Sequence, residues 1–145
     1  MVRNQKVTEI VLSLGDESVE AIAVLLEERA PKATKVLLNS LPIEREIWHA
    51  AWSGECILTV PSGIRDTKQI GEENQTIYTG PGDLGIDTSI DELLIFYGRG
   101  QPRWKVGPAP ITVFGRITEG LDSFAEECKS MVKVGAKTLR IRKRE

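Results

Sequence analysis

Apolar and polar residues alternate along the first part of the chain in a pattern that predicts a β-hairpin. The run KVTEIVLSL, residues 6–14, sets four apolar side chains among polar ones: Val7, Ile10, Leu12 and Leu14. Gly15-Asp16 supplies a turn, after which VEAIAVLLEE, residues 19–28, returns as a second strand. The second run also has the Ala and Leu content of a helix, but the short turn favours a strand.

Two segments have helical periodicity instead. Pro31 suits the first position of a helix, and Pro42 ends the apolar spacing that follows, which predicts a helix over residues 31–41. Its core-facing stripe is Ala33, Val36, Leu37 and Leu41. A second helix is predicted over residues 121–132, before Gly135, with the stripe Leu121, Phe124, Ala125, Cys128, Met131 and Val132.

The middle of the chain is rich in short strand-like runs separated by Gly, Pro, Ser and Asp. The predicted strands are residues 46–52, 55–61, 74–79, 82–87, 92–98, 111–118 and 137–142. Residues 62–73 are polar and predict a surface loop, and the Pro- and Gly-rich residues 98–110 predict an irregular connection. Gly115, inside a strand, indicates a bulge or a close backbone approach. The spacing of the runs suits a barrel or a sandwich.

Length and charge restrict the functional classes. A chain of 145 residues fits one domain, residues 1–145, and its net charge of −2 provides no basic field for nucleic acid. The local basic run RIRKRE is explained by a solvated strand end or tail. No apolar run approaches the roughly 20 residues that span a bilayer, and no signal peptide is evident. We therefore expect no membrane partner and a cytoplasmic location.

Cysteine and histidine usage points away from metal chemistry. Cys56 and Cys128 fall in apolar patterns and are expected to be buried free thiols, which fits a reducing cytoplasm. The lone His49 cannot build a multi-histidine site, and no cysteine pair has zinc-ligand spacing. We expect no metal and no cofactor.

Two motifs carry a resemblance to cyclophilins. VFGRITEGLD, residues 113–122, resembles the cyclophilin segment VFGKV-x-EG-M/L-D, in which a barrel strand turns into the second helix. EERAPKAT, residues 27–34, resembles the stretch around VPKT that begins the first helix. The resemblance implies a mainly β fold: a closed antiparallel cyclophilin-like β-barrel capped by two short α-helices. Glu119-Gly120 would then form the turn from the barrel strand into the capping helix.

The central segments depart from true cyclophilins, whose active-face motifs are absent. In their place, WHAAWSGE (48–55), ENQTIYTGPGDL (73–84) and LLIFYGRG (93–100) resemble a family of small uncharacterised bacterial cyclophilin-like proteins. That family has no assigned reaction. The resemblance therefore implies an architecture and candidate positions, not a mechanism.

Three residues in these segments are candidates for proton transfer: His49, Glu55 and Glu73. His49 is the one side chain whose ordinary pKa is near neutral, although a lone histidine is more often a satisfied core or edge residue. Glu55 follows a turn, where a solvated carboxylate is the default, but an apolar mouth beside Trp52 would raise its pKa.

Five more residues are candidates for ligand binding: Trp52, Gln75, Tyr78, Tyr97 and Arg99. An Arg next to an aromatic side chain at a barrel rim suits a carboxylate or amide, because its planar fork binds carboxylates in two places. The alternative is an Arg99 salt-bridged to Glu55 or Glu73 that holds the barrel end together. We expect Trp52, Glu55, Glu73, Gln75, Tyr97 and Arg99 to converge in one pocket.

The favoured function is binding, and a possible transformation, of a small anionic carboxylate- or amide-bearing metabolite at the barrel mouth. One alternative is peptidyl-prolyl isomerisation or proline-peptide binding, by analogy of fold. Another is a non-catalytic subunit of an amide-cleaving enzyme complex. The sequence leaves open a homo-oligomer, and it also leaves open whether the protein is an enzyme.

Overall fold

The computed structural model describes residues 7–15 and 18–145 of the chain. Strands β1 (Glu9–Leu14) and β2 (Glu20–Leu25) pair antiparallel, with Ile10 opposite Ala23 and Leu12 opposite Ala21. The predicted hairpin is confirmed, and its second run is a strand and not a helix. Lys6 and Asp16, assigned above to the first strand and its turn, lie outside the described residues.

Eight strands of the described chain close into an antiparallel barrel. Besides β1 and β2, these strands are β3 Ile43–His49, β4 Gly54–Thr59, β6 Asp83–Asp87, β7 Glu92–Gly100, β10 Ile111–Glu119 and β11 Lys137–Lys143. Their order is β2-β1-β11-β3-β4-β7-β6-β10, and β10 pairs with β2 to complete the circle. Outside the circle lie β5 (Gln75–Thr76), the small hairpin β8 (Arg103–Trp104) with β9 (Gly107–Pro108), and a 3-10 turn at Thr67–Gln69. With helices α1 (Pro31–Ser40) and α2 (Leu121–Val134), the predicted fold class is confirmed.

The core fills the barrel with side chains that alternate along each strand. Successive residues of a strand face opposite sides of the sheet, so every second residue points inward. The largest buried side chains include Ile10, Leu12, Leu14, Ile57, Leu84, Ile86 and Phe114. Burying one such side chain fully contributes about 1.5–3 kcal/mol.

The two helices cover opposite ends of the barrel. Helix α1 follows β2, precedes β3 and buries Ala33, Val36 and Leu37. Helix α2 follows β10, precedes β11 and buries Phe124, Cys128 and Met131. The end beneath α2 holds the last residues of β3 and β7 and the first residues of β4; we call it the α2 end.

The predicted stripe of α2 was wrong at one position. Val132 is 67% exposed. It lies one residue, about 100° of helix rotation, beyond the buried Met131 and so faces solvent. The barrel end buries residues 124, 128 and 131, and the half-buried Leu121 and Ala125 pack against the same core.

Several strand boundaries differ from the sequence prediction. Strand β3 ends at His49, so residues 50–52 belong to a turn. The predicted strand 74–79 shortens to β5, because Asn74 has a positive φ of 43° and the Thr76 hydroxyl accepts the backbone N–H of Tyr78. Residues 62–73 are not wholly a surface loop, since Ile64 and Ile70 are buried.

The Glu119-Gly120 turn is confirmed. Gly120 caps α2 with a φ of 77°, a conformation that favours glycine. A Cβ at this position would also lie 2.7 Å from the backbone oxygen of Glu20. Both the backbone angle and the close approach of β2 therefore require glycine here.

Ion pairs cover the outer wall around β11. Arg140 pairs with Glu44 at 3.0 Å, and Arg142 pairs with Glu20 at 3.3 Å. Arg144 pairs with Glu9 at 3.1 Å. The basic RIRKRE run thus lies among acidic partners from neighbouring strands. Among the described residues, no helix is long and apolar enough to cross a bilayer.

Candidate functional site

His49 and Tyr97 form a hydrogen bond at the α2 end. His49 is the last residue of β3, and Tyr97 lies in β7, on the far side of β4. The Nε2 atom of His49 is 2.7 Å from the Tyr97 hydroxyl, and the rings meet edge to face at 5.7 Å. Tyr97 is only 6% exposed, so this hydroxyl lies just beneath the rim.

The partners of His49 fix its tautomer in the neutral ring. Its Nδ1 atom is 2.9 Å from the backbone oxygen of Ala50, and a carbonyl oxygen can only accept. Nδ1 therefore carries the proton, and Nε2 accepts from the Tyr97 hydroxyl. Burial, and then the nearby Glu55 carboxylate, raise the pKa of Tyr97 to about 12. The hydroxyl accordingly keeps its proton at neutral pH.

Glu55 occupies an irregular step between β4 and β7. Gly54 lies opposite Gly100 and Cys56 opposite Phe96, so three residues of β7 face the single residue Glu55. The Oε1 atom of Glu55 accepts the backbone N–H of Arg99 at 2.9 Å. A Cβ at Gly98 would lie 2.5 Å from that oxygen. The missing side chain of Gly98 thus makes room for the carboxylate.

Arg99 projects from the rim with its guanidinium exposed. It lies two residues after Tyr97 in β7, and no salt bridge joins it to an acidic residue of the described chain. Neither Glu55 nor Glu73 therefore forms the structural ion pair considered above. Glu55 bonds the backbone of Arg99, not its side chain.

Trp52 lies in the turn between β3 and β4 and packs against Trp104 of β8. The ring centroids are 6.1 Å apart with an angle of 38° between the planes. The two side chains are 50% and 42% exposed. Trp104 was not predicted as a site residue, because residues 98–110 showed only the Pro and Gly content of an irregular connection.

The structure does not bring Glu73 and Gln75 to the α2 end. Both oxygens of the Glu73 carboxylate accept backbone N–H groups at the start of α1, from Lys32 at 3.1 Å and Ala33 at 2.9 Å. Gln75 lies in β5 opposite Thr112, near the start of β10 and therefore at the far end of the barrel. Tyr78 is 82% exposed in the segment that leads to β6. The α2 end thus gathers His49, Trp52, Glu55, Tyr97 and Arg99.

A second polar pair, which the sequence did not single out, lies at the far end of the barrel. Asp87 and Glu92 face each other across the β6–β7 hairpin, and both are buried. Burial, and then the Asp87 charge, raise the pKa of Glu92 to about 7. The only sequence signal was an acidic residue at the end of each of two apolar runs.

The thiols and the acidic groups supply neither an activated nucleophile nor a metal cage in the described chain. Cys56 and Cys128 are buried and free, as predicted. Burial raises the pKa of both, which disfavours the reactive thiolate. In residues 7–15 and 18–145, no three His, Cys, Asp or Glu side chains are grouped to hold a metal ion.

The surface cavities found on the barrel wall lie away from this group. One of about 560 Å³ lies on the outer wall beside Val11, Pro42 and Arg140. It contains none of the predicted site residues. None of these wall cavities includes a residue of the group at the α2 end.

A family model described as a protein of unknown function, DUF3830, matches residues 12–143. The chain belongs to the DUF3830 family. The match spans the barrel from β1 to β11, including both helices and every predicted site residue. No curated protein matches the chain.

Solved structures with a similar fold support the cyclophilin-like architecture of this DUF3830 member. McbB, solved in complex with tryptophan, has a TM-score of 0.72 and 18% identity over 92% of this chain, which spans only 44% of McbB. The hypothetical protein AF2241 from Archaeoglobus fulgidus has a TM-score of 0.60 and 21% identity, covering 98% of this chain and 100% of its own. A cyclophilin-type peptidyl-prolyl cis-trans isomerase from Cryptosporidium parvum has a TM-score of 0.61 and 16% identity, covering 97% and 99%. At these identities the likeness shows the fold alone.

Proposed function

We propose that this DUF3830 member binds a small carboxylate-bearing metabolite at the α2 end of the barrel, with Arg99 as the anion anchor. The observation that carries the proposal is the exposed Arg99 guanidinium, which lacks an acidic partner among the described residues. Four other arginines differ, since Arg116, Arg140, Arg142 and Arg144 each pair with a carboxylate. A free guanidinium fork favours a carboxylate in a two-point hydrogen bond.

Glu55 adds an acceptor next to this anchor. Its Oε1 atom is engaged by the Arg99 backbone, whereas Oε2 accepts no hydrogen bond from the described residues. An ammonium or amide N–H of the ligand would satisfy Oε2 while Arg99 holds the carboxylate. A ligand with both groups, such as an amino acid or its amide, fits this pair of charges.

His49 and Tyr97 would form the floor beneath the ligand. The Tyr97 hydroxyl donates to His49 and keeps its oxygen lone pairs free for a ligand donor. His49 is the group that could take a proton through Tyr97, so a reaction at this site would use it as the proton acceptor. Glu73 has no part in this proposal, because its carboxylate binds the start of α1.

One similar structure supports this class of ligand. McbB was solved in complex with tryptophan, which carries a carboxylate and an ammonium group. Its identity of 18% and its greater length make this support for a hypothesis and not a transfer of function.

Isothermal titration with amino acids, simple carboxylates and the matching amides tests the proposal. We expect at least one carboxylate to bind, Arg99→Ala to abolish that binding, and Arg29→Ala to leave it unchanged. Arg29 is the matched control, because it is exposed and lies between β2 and α1. If no carboxylate binds in an Arg99-dependent manner, the proposed function is wrong. A proline-isomerisation assay on a model peptide, expected to show no acceleration, tests the alternative drawn from the fold.

A further inference from the structure

The two indoles at the α2 end leave aromatic surface in contact with solvent. The ring centroids of Trp52 and Trp104 are 6.1 Å apart, yet the two residues are 50% and 42% exposed. The ring planes are tilted by 38°, and the exposure of both residues shows that the contact leaves part of each uncovered. Large aromatic side chains are usually buried on folding, and an exposed pair is a surface on which another ring can stack.

The backbone beneath the indoles is held in place by a buried serine. Ser53 is only 3% exposed, and its Oγ accepts the Arg103 N–H at 3.1 Å and lies 3.4 Å from the Arg103 oxygen. The backbone oxygen of Ser53 accepts the N–H of Gln101 at 3.0 Å. Ser53 follows Trp52 and Arg103 precedes Trp104, so this clamp fixes the backbone next to both rings. The backbone that carries the aromatic pair is therefore held in place before any ligand arrives.

The same clamp joins the indoles to the anion anchor. Gly54, two residues after Trp52, lies opposite Gly100, and Gly100 follows Arg99. A Cβ at Gly54 would lie 2.8 Å from the backbone oxygen of Arg99. The turn that carries Trp52 therefore packs directly on the strand end that carries Arg99.

We propose that the ligand is an aromatic carboxylate, whose planar ring stacks on the Trp52–Trp104 pair while Arg99 binds its carboxylate. This inference rests on the proposed function, to which it adds the planar ring as a requirement. An aromatic ring gains from indole faces through stacking, whereas a saturated ring of the same size gains only from the loss of apolar surface. The site should therefore distinguish the two.

Phenylacetate and cyclohexylacetate provide the test, because they share a carboxylate and a six-membered ring and differ in planarity. By isothermal titration of the unaltered protein, we expect phenylacetate to bind about tenfold more tightly, a ratio that one good stacking contact supplies. Quenching of tryptophan fluorescence should follow the same titration curve. Trp104→Leu should remove the preference while the Arg99-dependent binding of both acids remains.

The control for ring loss is Trp48→Leu. Trp48 is 43% exposed on β3 and has no ring contact with the pair, so the preference should survive its replacement. Trp104→Phe, which keeps a ring, should retain most of the preference and shows whether a loss in Trp104→Leu reflects stacking or misfolding.

The outcomes separate this inference from the one on which it rests. Equal binding of the two acids, still dependent on Arg99, overturns the aromatic requirement and leaves the carboxylate site standing. If neither acid binds and no other carboxylate binds, both the aromatic requirement and the carboxylate site are wrong. If tryptophan fluorescence changes with protein concentration and not with either acid, the indoles cover an interface between copies and the inference is wrong.

Discussion

The absence of a side chain at Gly98 leaves the space that the Glu55 side chain occupies at the rim. A methyl group here would lie 2.5 Å from the Glu55 carboxylate and 3.1 Å from its Cβ. We expect Gly98→Ala to displace Glu55 from the Arg99 backbone and to lower the free energy of unfolding by about 1–3 kcal/mol. Urea unfolding measures the loss. Gly80→Ala is the control, because the nearest atom to its Cβ is 4.0 Å away, and we expect a change within about 0.5 kcal/mol. Equal effects would contradict the account.

Glu92 makes stability depend on pH in a predictable direction. Its pKa rises from an ordinary 4.5 to about 7, so the folded protein holds this proton more tightly than the unfolded chain does. The contribution of Glu92 to the free energy of unfolding should therefore be greatest below about pH 4.5, and this contribution should be lost as the pH rises through about 7. The loss is at most about 3 kcal/mol. Thermal unfolding between pH 5 and 8 measures it, and Glu92→Gln should flatten this part of the curve. An unchanged pH dependence in the variant would rule Glu92 out.

At the residue scale, the sequence predicted some of the residues that meet at the α2 end. His49, Glu55, Tyr97 and Arg99 come from segments that end or begin strands, and strand ends on neighbouring strands meet at one rim. The sequence could not predict the space beside Gly98 or the hydrogen bonds of Ser53. Both depend on which residues face each other, and that is set by the register of β4 against β7. Trp104 was not predicted as a site residue, because its two-residue strand is too short to show a periodic pattern.

At the scale of elements, Glu73 supplies what the sequence of α1 lacks. The residue before α1 is Ala30, which makes no side-chain hydrogen bond to the helix, and the first turn contains no acidic residue. Glu73 reaches this helix start from a distant loop and accepts two of its backbone N–H groups. A carboxylate here also interacts favourably with the positive end of the helix dipole.

Replacement of Glu73 by alanine should therefore weaken α1. We expect the free energy of unfolding to fall by about 1 kcal/mol, as for the loss of other helix caps. Chemical denaturation with far-UV circular dichroism checks this. Glu72→Ala changes the exposed neighbour and should have little effect. If the two variants are equally stable, Glu73 does not act as a cap, and its carboxylate is again a candidate for proton transfer.

Helix α2 offers a matched pair of truncations on one element. Phe124 is fully buried, whereas Val132 is 67% exposed. We expect Phe124→Ala to cost about 3–5 kcal/mol, through lost burial and the cavity left in the barrel end. Val132→Ala should change stability by no more than about 0.5 kcal/mol. Guanidinium unfolding compares them. Similar losses would mean that both faces of α2 are packed.

Elements with strong periodicity were the ones that the sequence predicted well. The helix over 31–41 and the hairpin of β1 and β2 match because their apolar faces repeat over several turns or residue pairs. Strand β5 did not match, since local hydrogen bonds and a positive φ at Asn74 compete with extension. Strand β3 was misplaced because WHAAW is as apolar as a strand, although the chain turns after His49.

On the scale of the whole molecule, the barrel is closed by pairs that are distant in sequence. The closure joins β2 to β10, and β11 lies between β1 and β3. Leu12 pairs with Ile141, and Ile43 pairs with Ile141 on the other side. The ion pairs of Arg140 and Arg142 in this strand, and of Arg144 just after it, reach to acidic residues of earlier strands and so follow the same geometry.

The position of β11 has a consequence for synthesis on the ribosome. Strand β11 is synthesised after the other strands of the barrel and must enter between β1 and β3, so these two strands cannot find their partner until β11 has left the exit tunnel. Until then, the nascent chain exposes two unpaired strand edges, which are the surfaces on which chaperones and aggregation compete. A chain arrested after α2 should remain protease-sensitive, and release of the remaining residues should make it resistant in one step.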